Sequence, residues 1–308
     1  MTAPAPARGR SRARPRAILN PASPGARKRP DLADRLAGEH GLDVRVTSGP
    51  GDASRLAREA LEDGVGTLVV AGGDGTLHEA AAGLGADAGS AGLRVALLPL
   101  GTGNDLAASL GIPLEIGAAL ALLGEGEPRR LDLVRVDGGT DGWVVNFAMG
   151  GFAGRVAERV TPRRRRIWGR HVYLRAALDE VLERRPREVR VRADGRELQT
   201  GPLLALVVAS GPRFGGGIPI APGALPDDGL LDLLLLDDVS LPALLRVVGR
   251  ALRGRHLADP VVTHLRVRSV EVEAEPDLPW NGDGEDLGTG SRTFEVVPGA
   301  LPVLVPRA

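Results

Sequence analysis

The chain has 308 residues, of which 43% are hydrophobic and 25% charged, so it is long enough to bury two cores of ordinary size. It contains no cysteine, which excludes disulfides, thiol nucleophiles and zinc–thiolate sites. The formal net charge is zero, and we expect no nucleic-acid partner because no overall field would draw the protein to a polyanion.

Residues 1–15 form a basic tail in which arginines alternate with proline, alanine and glycine. The tail cannot bury apolar surface, so it is predicted to be disordered. Contact with an anionic bilayer would contribute about 1 kcal/mol per arginine. We expect no secretory signal after the tail, because the apolar run Ala17–Leu19 leads directly into Asn20 and Pro21. We expect a cytoplasmic protein that associates peripherally with the inner face of the membrane.

Residues 16–131 alternate short β runs with helical segments, which is typical of a parallel sheet flanked by helices. The predicted strands are Ala17–Leu19, Val44–Thr47, Thr67–Ala71 and Val95–Leu98. One predicted helix has its apolar positions on a single face, at Leu77, Ala80, Ala81 and Leu84. Ligands of such sheets bind beyond the carboxyl ends of the strands.

Residues 132–297 have a period of two, which predicts a β-rich, antiparallel domain. Asp194 and Gly195 are a strong hairpin signal between two of its strands. Its predicted strands are Leu131–Val136, Trp143–Ala148, Val189–Ala193, Glu197–Leu198, Leu203–Ala209, Leu230–Leu236, Leu265–Ala274 and Thr293–Val297. The predicted helices are Val172–Leu182 and Leu241–Leu252.

Two glycine-rich loops carry the chemistry. The first follows the strand Thr67–Ala71 and contains Gly72, Gly73, Asp74, Gly75 and Thr76. Its glycines allow a polyphosphate to approach the backbone N–H groups, and the helix that follows directs its N-terminal dipole at the same anion. A carboxylate beside phosphates needs a cation, so Asp74 is interpreted as a Mg²⁺ contact, direct or through water.

The second loop has the same design, with Gly101, Thr102, Gly103, Asn104 and Asp105 after the strand Val95–Leu98. A single glycine-rich turn is weak evidence, but two in one chain, each ending in an acid, are much less expected by chance. Asp105 alone is also explained as an acid in the first turn of a helix, where the dipole favours it.

The pair of loops resembles the lipid kinases of the diacylglycerol kinase catalytic-domain family, which includes bacterial diacylglycerol kinases and the sphingosine and ceramide kinases. NAD kinases and phosphofructokinases share only the first loop. The resemblance implies an α/β nucleotide-binding domain with a parallel sheet, then a β-rich, sandwich-like domain. The chain would return to the first domain at about residues 298–308. It further implies ATP and Mg²⁺ as cofactors and a lipid alcohol as acceptor, with diacylglycerol as the first choice.

The same resemblance assigns further residues. It places Asn20, Pro21, Ser23 and Thr47 near the nucleotide, although Pro24 displaces the expected glycine to Gly25. Asp132 would join Asp74 and Asp105 in a metal–water network. Asp228 and the Leu230 carbonyl would belong to a second metal site, although Leu225 stands where an acid is expected.

Asp283 and Glu285 are separated by one residue, so an extended strand would point both carboxylates to one face. Such a pair raises the pKa of one member and suits a base that accepts a hydroxyl proton. By themselves they are an ordinary acidic turn; by resemblance Asp283 is the catalytic base. The five histidines lack metal-ligand spacing, and His78 is interpreted as a helix-surface residue.

Two alternatives to the lipid kinase stay open at this point. An NAD kinase-like phosphotransferase would share the first loop but not the second. A non-catalytic regulator that binds nucleotide or lipid would be expected to lack the late acidic pair, which is present. The sequence selects neither the lipid alcohol nor the oligomeric state, for which a homodimer is one candidate.

Overall fold

The computed structural model describes residues 14–137, 142–151 and 186–307. The disordered tail predicted for residues 1–15 and the predicted helix 172–182 lie outside the described residues, apart from residues 14 and 15. Within these ranges, no helix combines the length and apolar character needed to cross a bilayer.

The first half is a parallel α/β unit. Its elements in chain order are β1 (Arg16–Leu19), α1 (Pro24–Arg27), α2 (Leu32–Gly38), β2 (Asp43–Val46), α3 (Asp52–Glu62), β3 (Thr67–Gly72), α4 (Asp74–Leu84), α5 (Asp87–Ser90), β4 (Arg94–Pro99), α6 (Asp105–Ser109) and α7 (Ile116–Glu125). The parallel strands lie in the order β2, β1, β3, β4. The four predicted strands are therefore confirmed to within one residue at each end.

Alternation along the strands explains the two apolar layers of this half. In β3, Leu68 and Val70 pack in the core that contains α3 and α4. Their neighbours Val69 and Ala71 pack in the core on the other face of the sheet. A strand that is buried on both faces becomes a continuous apolar run, which is what parallel strands show.

The second half is β-rich and mostly antiparallel. Its elements are β5 (Glu127–Asp137), β6 (Gly142–Val144), β7 (Phe147–Gly151), β8 (Arg187–Ala193), β9 (Arg196–Ala209), β10 (Arg213–Phe214), β11 (Ile218–Pro219), β12 (Leu231–Asp237), α8 (Leu241–Ala251), the 3₁₀ turn His256–Ala258, β13 (Val262–Val267), β14 (Ser269–Glu275), β15 (Pro279–Gly282), β16 (Glu285–Thr289) and β17 (Arg292–Val305). The predicted fold class is confirmed. The hairpin is confirmed too, because Asp194 and Gly195 have φ of 48° and 74° between β8 and β9.

Strand β17 joins the two halves. It pairs with β14 and β5 in antiparallel fashion, and near its end Val303 lies parallel to Val95 of β4. The predicted boundary between residues 131 and 132 falls inside β5, so one strand runs through it. The domain limits stay a prediction.

Three strand predictions in the second half are wrong. The run Glu197–Leu198 is not separate from Leu203–Ala209, since both belong to the long strand β9. The run Leu265–Ala274 divides at Arg268 into β13 and β14, because the N–H groups of Arg268 and Ser269 bind Asp194.

The run Trp143–Ala148 also divides, into β6 and β7. The break falls at Val145 and Asn146, whose N–H groups bind the carboxylate of Asp283. The break therefore leaves two backbone N–H groups free of the sheet, and both bind Asp283.

Candidate active site

The two glycine loops pack directly on each other. A Cβ added to Gly73 would lie 2.9 Å from the Cα of Gly101, and one added to Gly101 would lie 2.5 Å from the Cα of Gly73. A Cβ on Gly72 would lie 2.5 Å from the Oγ1 of Thr76. These glycines are required by the packing of the loops, a reason that sequence reasoning did not supply.

Asp74 fastens the loops together. Its carboxylate accepts hydrogen bonds from the backbone N–H groups of Asn104 and Asp105, each at 2.8 Å. Burial raises the pKa of Asp74 to about 6, the negative charges of Asp105 and Asp283 add to the rise, and the two backbone bonds oppose it. A cation bound here would reduce the repulsion between the carboxylate of Asp74 and those of Asp105 and Asp283.

Asp105 connects the α/β half to the second half. Its carboxylate accepts hydrogen bonds from the N–H groups of Gly216 and Gly217, at 2.9 and 2.7 Å. These glycines lie between β10 and β11 with φ of 91° and 100°, a conformation that favours glycine. The acid is 5% exposed, so it is a buried linking group rather than a simple helix-surface acid.

Asp283 is not in an extended strand, and the predicted pairing of Asp283 and Glu285 on one strand face is wrong. Asp283 and Gly284 form the turn between β15 and β16, with φ of 52° and 95°. The Asp283 carboxylate accepts hydrogen bonds from the N–H groups of Val145, Asn146 and Phe147, at 2.7 to 3.0 Å. Glu285 begins β16 and is exposed.

His78 is a site residue that sequence reasoning missed. Its side chain is 12% exposed, and Nδ1 lies 2.9 Å from Oδ2 of Asp283, so the interpretation as a surface residue is wrong. Burial would lower the pKa of His78, but the hydrogen bond and charge of Asp283, with help from Glu285 and Glu79, raise it above its usual value. The available signal was its position four residues after Asp74, on the same face of α4.

A cavity of about 250 Å³ lies between the halves. It is lined by residues of both glycine loops, of the β6–β7 break, of the β10–β11 connection and of the β15–β16 turn, among them Asp74, Thr102, Gly103, Asp105, Phe147, Gly216 and Asp283. We call Asp74, Asp105 and Asp283 the cleft cluster. Their charges converge on a space that also has an apolar wall, formed by Leu77, Leu106 and Phe147.

The proposed nucleotide residues follow the ends of β1, β2 and β3. Asn20 Nδ2 donates a hydrogen bond to Oγ1 of Thr76 at 2.9 Å, which joins the opening turn to the first glycine loop. The Thr47 N–H binds the Leu19 carbonyl at 3.0 Å. Ser23 is buried before α1, and exposed Pro21 precedes it.

Asp132 and Asp228 lie in a second acidic group with Asp227, which we call the strand cluster. Asp132 is 1% exposed and accepts hydrogen bonds from the N–H groups of Gly229 and Gly299, at 2.7 and 2.8 Å. Burial raises the pKa of Asp132, and the charges of Asp228 and Asp227 add to the rise. These contacts attach Asp132 to the strand cluster, and its predicted place in a metal–water network with Asp74 and Asp105 stays a prediction.

The second metal site expected at Asp228 and the Leu230 carbonyl stays a prediction, and two arginines lie beside it. Arg266 makes an ion pair with Asp228, and Arg129 binds both oxygens of Asp227, at 2.6 and 2.7 Å. Leu230 presents its N–H to Asp228 at 3.1 Å. Among the described residues, no group of three or more metal-ligating side chains is found.

Two glycine-rich loops at the carboxyl ends of parallel strands, opposite a β-rich half that supplies an acid, are the arrangement of a phosphotransferase, and the family matches place the chain in the kinase class. The model of the family described as "Diacylglycerol kinase catalytic domain" matches residues 14–136. The model described as "YegS C-terminal NAD kinase beta sandwich-like domain" matches residues 146–305.

Similar proteins cover nearly the whole chain. A Pseudomonas aeruginosa protein named "Probable lipid kinase YegS-like" is 40% identical over 274 residues, which is 89% of this chain and 87% of that protein. A protein of the same name from Stenotrophomonas maltophilia is 34% identical over 298 residues, which is 94% and 96% of the two chains. The crystal structure of a diacylglycerol kinase from Bacillus anthracis is similar in fold, with a TM-score of 0.71, 22% identity and coverage of 96% and 98%.

The chain belongs to the YegS-like lipid kinases, which combine the diacylglycerol kinase catalytic domain with this C-terminal domain. It is a lipid kinase, and a kinase of this family implies ATP use. The alternative of a non-catalytic regulator is set aside by this membership.

Proposed function

We propose that the protein transfers the γ-phosphoryl group of ATP, with Mg²⁺, to the hydroxyl of a lipid alcohol, and that diacylglycerol is the acceptor, giving phosphatidic acid. The observation that carries the proposal is the cleft cluster, in which both glycine loops and the β15–β16 turn bring a carboxylate to one cavity. Phosphoryl transfer needs a phosphate cradle, metal charge and a group that positions the attacking hydroxyl. The choice of diacylglycerol follows the description of the matching catalytic domain.

The residues present fit a magnesium ion at Asp74 and Asp105. Burial and the neighbouring charge of Asp105 raise the pKa of Asp74, and a cation beside its carboxylate would offset both effects. Backbone N–H groups already bind both carboxylates, which suits an ion that keeps several of its waters. When bound, Mg²⁺ supplies positive charge that stabilises the phosphates during transfer.

The phosphates of ATP would be held by the loops around Gly73, Gly75, Thr102 and Gly103, with Asn20 and Thr76 fixing the first loop. Asp283 would take the proton of the acceptor hydroxyl. Three N–H groups and His78 fix the orientation of its carboxylate, and Asp283 lines the cavity. Exposed Glu285 is the alternative base, because its Oε1 would lie 3.4 Å from a Cβ on Gly75 of the first loop.

A radiolabelled-ATP transfer assay over a panel of lipid alcohols in mixed micelles tests the proposal, with NAD⁺ as a control acceptor. We expect label in a lipid product, most with diacylglycerol, and none on NAD⁺. Label on another lipid alcohol would correct the acceptor while leaving the kinase intact. Label on NAD⁺ alone would overturn the assignment.

A further inference from the structure

Helix α8 has one buried and one exposed apolar face. Leu244 and Val247 pack against β9 and β12 in a small core with Leu204 and Leu236. The exposed face carries leucines at positions that differ by four and seven residues, which lie on one side of a helix. They are Leu241, Leu245 and Leu252, which are 37%, 44% and 45% exposed. We call these three residues the leucine face.

Positive charge lies at the C-terminal end of the leucine face, whereas exposed Asp237 and Asp238 precede its first residue. The segment from Leu241 to Ala258 contains four arginines and no acid; the arginines are Arg246, Arg250, Arg253 and Arg255. Arg246 and Arg250 bind the carboxylate of Asp259, whose side chain is fully buried, at 2.9 and 3.1 Å. Arg253 and Arg255, just beyond the helix, are exposed. Exposed leucines beside exposed arginines are the pattern of a helix that lies in a membrane interface.

The end of α8 packs on the segment that leads to the cavity. Nε2 of His256 lies 2.8 Å from the carbonyl oxygen of Ile220, immediately after β11. Gly254 faces Pro219, so that a Cβ there would meet the proline ring at 3.2 Å. The same β10–β11 hairpin supplies Gly215 and Gly216 to the lining of the cavity. A membrane surface that binds α8 would therefore lie next to the β10–β11 hairpin, which lines the cavity.

We propose that the leucine face docks the enzyme on an anionic bilayer, with the leucines in the interfacial layer and Arg253 and Arg255 on the headgroup phosphates. The role of this docking surface rests on the proposed lipid acceptor, whereas the exposed leucines and arginines are features of the structure itself. A second copy of the chain fits this surface less well, because the two basic flanks would repel each other. An anionic lipid surface complements both the apolar stripe and the charge.

The test measures sedimentation of the full-length protein with vesicles of phosphatidylglycerol and phosphatidylcholine, and with vesicles of phosphatidylcholine alone. We expect Leu245→Glu to lower partitioning to the anionic vesicles at least about tenfold, because it adds a negative charge to the interface. Leu198→Glu is the matched control, since Leu198 is 40% exposed on β9, and it should bind as the wild type does. Arg253→Gln should weaken binding to the anionic vesicles and flatten its dependence on salt.

Thermal unfolding shows whether each variant is folded, and Leu252→Asn, beyond the end of α8, is the second variant should Leu245→Glu unfold. Unchanged vesicle binding by folded variants of the leucine face would overturn the proposal. So would a wild-type dimer that Leu245→Glu converts to a monomer, because the face would then bind a second copy.

Turnover of a short-chain, soluble diacylglycerol is measured in parallel. Its absence in the wild type would refute the proposed acceptor, whereas its presence together with unaltered vesicle binding would refute only the docking surface.

Discussion

The cleft cluster and the strand cluster each contain three aspartates, but they differ in what balances the charge. In the strand cluster, Arg129 binds Asp227 and Arg266 binds Asp228, while backbone N–H groups bind Asp132. In the cleft cluster, the aspartates accept hydrogen bonds mainly from backbone N–H groups, beside a cavity. Acids that line a cavity and are bound mainly by backbone N–H groups indicate a ligand site, whereas acids paired with arginines indicate a structural one. The number of acids does not separate the two.

The largest expected difference between the clusters is in catalysis. Asp74→Asn should reduce transfer to background, a loss of more than about 10⁴-fold, because it removes metal-linked charge and one of the oxygens that join the loops. Asp228→Asn, the matched change in the strand cluster, should alter kcat/KM less than about threefold. Initial rates at saturating Mg²⁺ measure both. Thermal unfolding is the control, since Asp74 is partly buried and bonded to Asn104 and Asp105. Activity of folded Asp74→Asn within about tenfold of wild type would remove the cleft cluster from the mechanism.

The second prediction separates proton acceptance from metal binding within the cleft cluster. Asp283→Asn should lower kcat by roughly 10²–10⁴ while ATP affinity changes little. Asparagine tolerates the positive φ of this position, so the turn should persist. Calorimetry with a non-hydrolysable ATP analogue and a Mg²⁺ titration of the rate provide the measurement. Recovery of turnover at high Mg²⁺ would show that the carboxylate serves the cation, and Glu285 would become the candidate base.

The third prediction concerns His78. His78→Asn should lower kcat about tenfold through the loss of the contact that orients Asp283, with little change in the KM for ATP. The more disruptive change His78→Phe, which removes every polar atom, should cost more than His78→Asn. Equal rates for wild type and both variants would show that His78 only fills space.

The same pair predicts how stability depends on pH. The pKa of folded His78 is raised above its ordinary value of 6.5. The pairing therefore stabilises the fold fully below about pH 6.5, and the contribution is lost as the pH rises through the higher folded-state pKa. The gap in unfolding free energy between wild type and His78→Asn, measured in urea, should be larger at pH 6 than at pH 9. A gap that does not change with pH would contradict a charged His78.

Most of the parallel half was predictable from the sequence because its strands and loops are local patterns. The run Thr67–Ala71 and its glycines specify a strand and a tight connection without reference to distant residues. The contact of His78 with Asp283 spans 205 positions, and no local pattern reports it. The break between β6 and β7 exists because Asp283 needs the N–H groups of Val145 and Asn146, so it too depends on distant chain. The prediction of an extended strand at Asp283 was wrong because Asp283 and Gly284 form a turn in which both residues have positive φ.

The fourth prediction uses Mg²⁺ without ATP or lipid. The pKa of Asp74 is raised from 3.8 to about 6, so the fold loses stability as the pH rises between these two values, and the loss is complete above about pH 6. Mg²⁺ at about ten times its dissociation constant should restore roughly 1.4 kcal/mol, a few degrees in Tm, at pH 7.5. The shift should be smaller at pH 5, where Asp74 is mostly protonated, and absent in Asp74→Asn. The strand cluster provides the control, because Asp228→Asn should keep the full shift. A shift that persists in Asp74→Asn but vanishes in Asp228→Asn would reverse the roles of the clusters.

The smallest expected effect belongs to Arg266. Its ion pair with Asp228 is partly exposed, with 44% of the Arg266 side chain accessible, and exposed pairs contribute about 0–1 kcal/mol. Arg266→Gln should therefore lower the free energy of unfolding by less than about 1 kcal/mol, with unchanged turnover and an unchanged response to Mg²⁺. Arg45→Gln removes an ion pair of similar exposure with Asp43, and its loss in unfolding free energy is the control for Arg266→Gln.

If Arg266→Gln instead acquires a new Mg²⁺-dependent stabilisation, the guanidinium stands where the family's second cation would bind. If wild type already shows two Mg²⁺ equivalents and loses one in Asp228→Asn, the strand cluster holds a metal beside its arginines, and the contrast drawn between the two clusters is wrong.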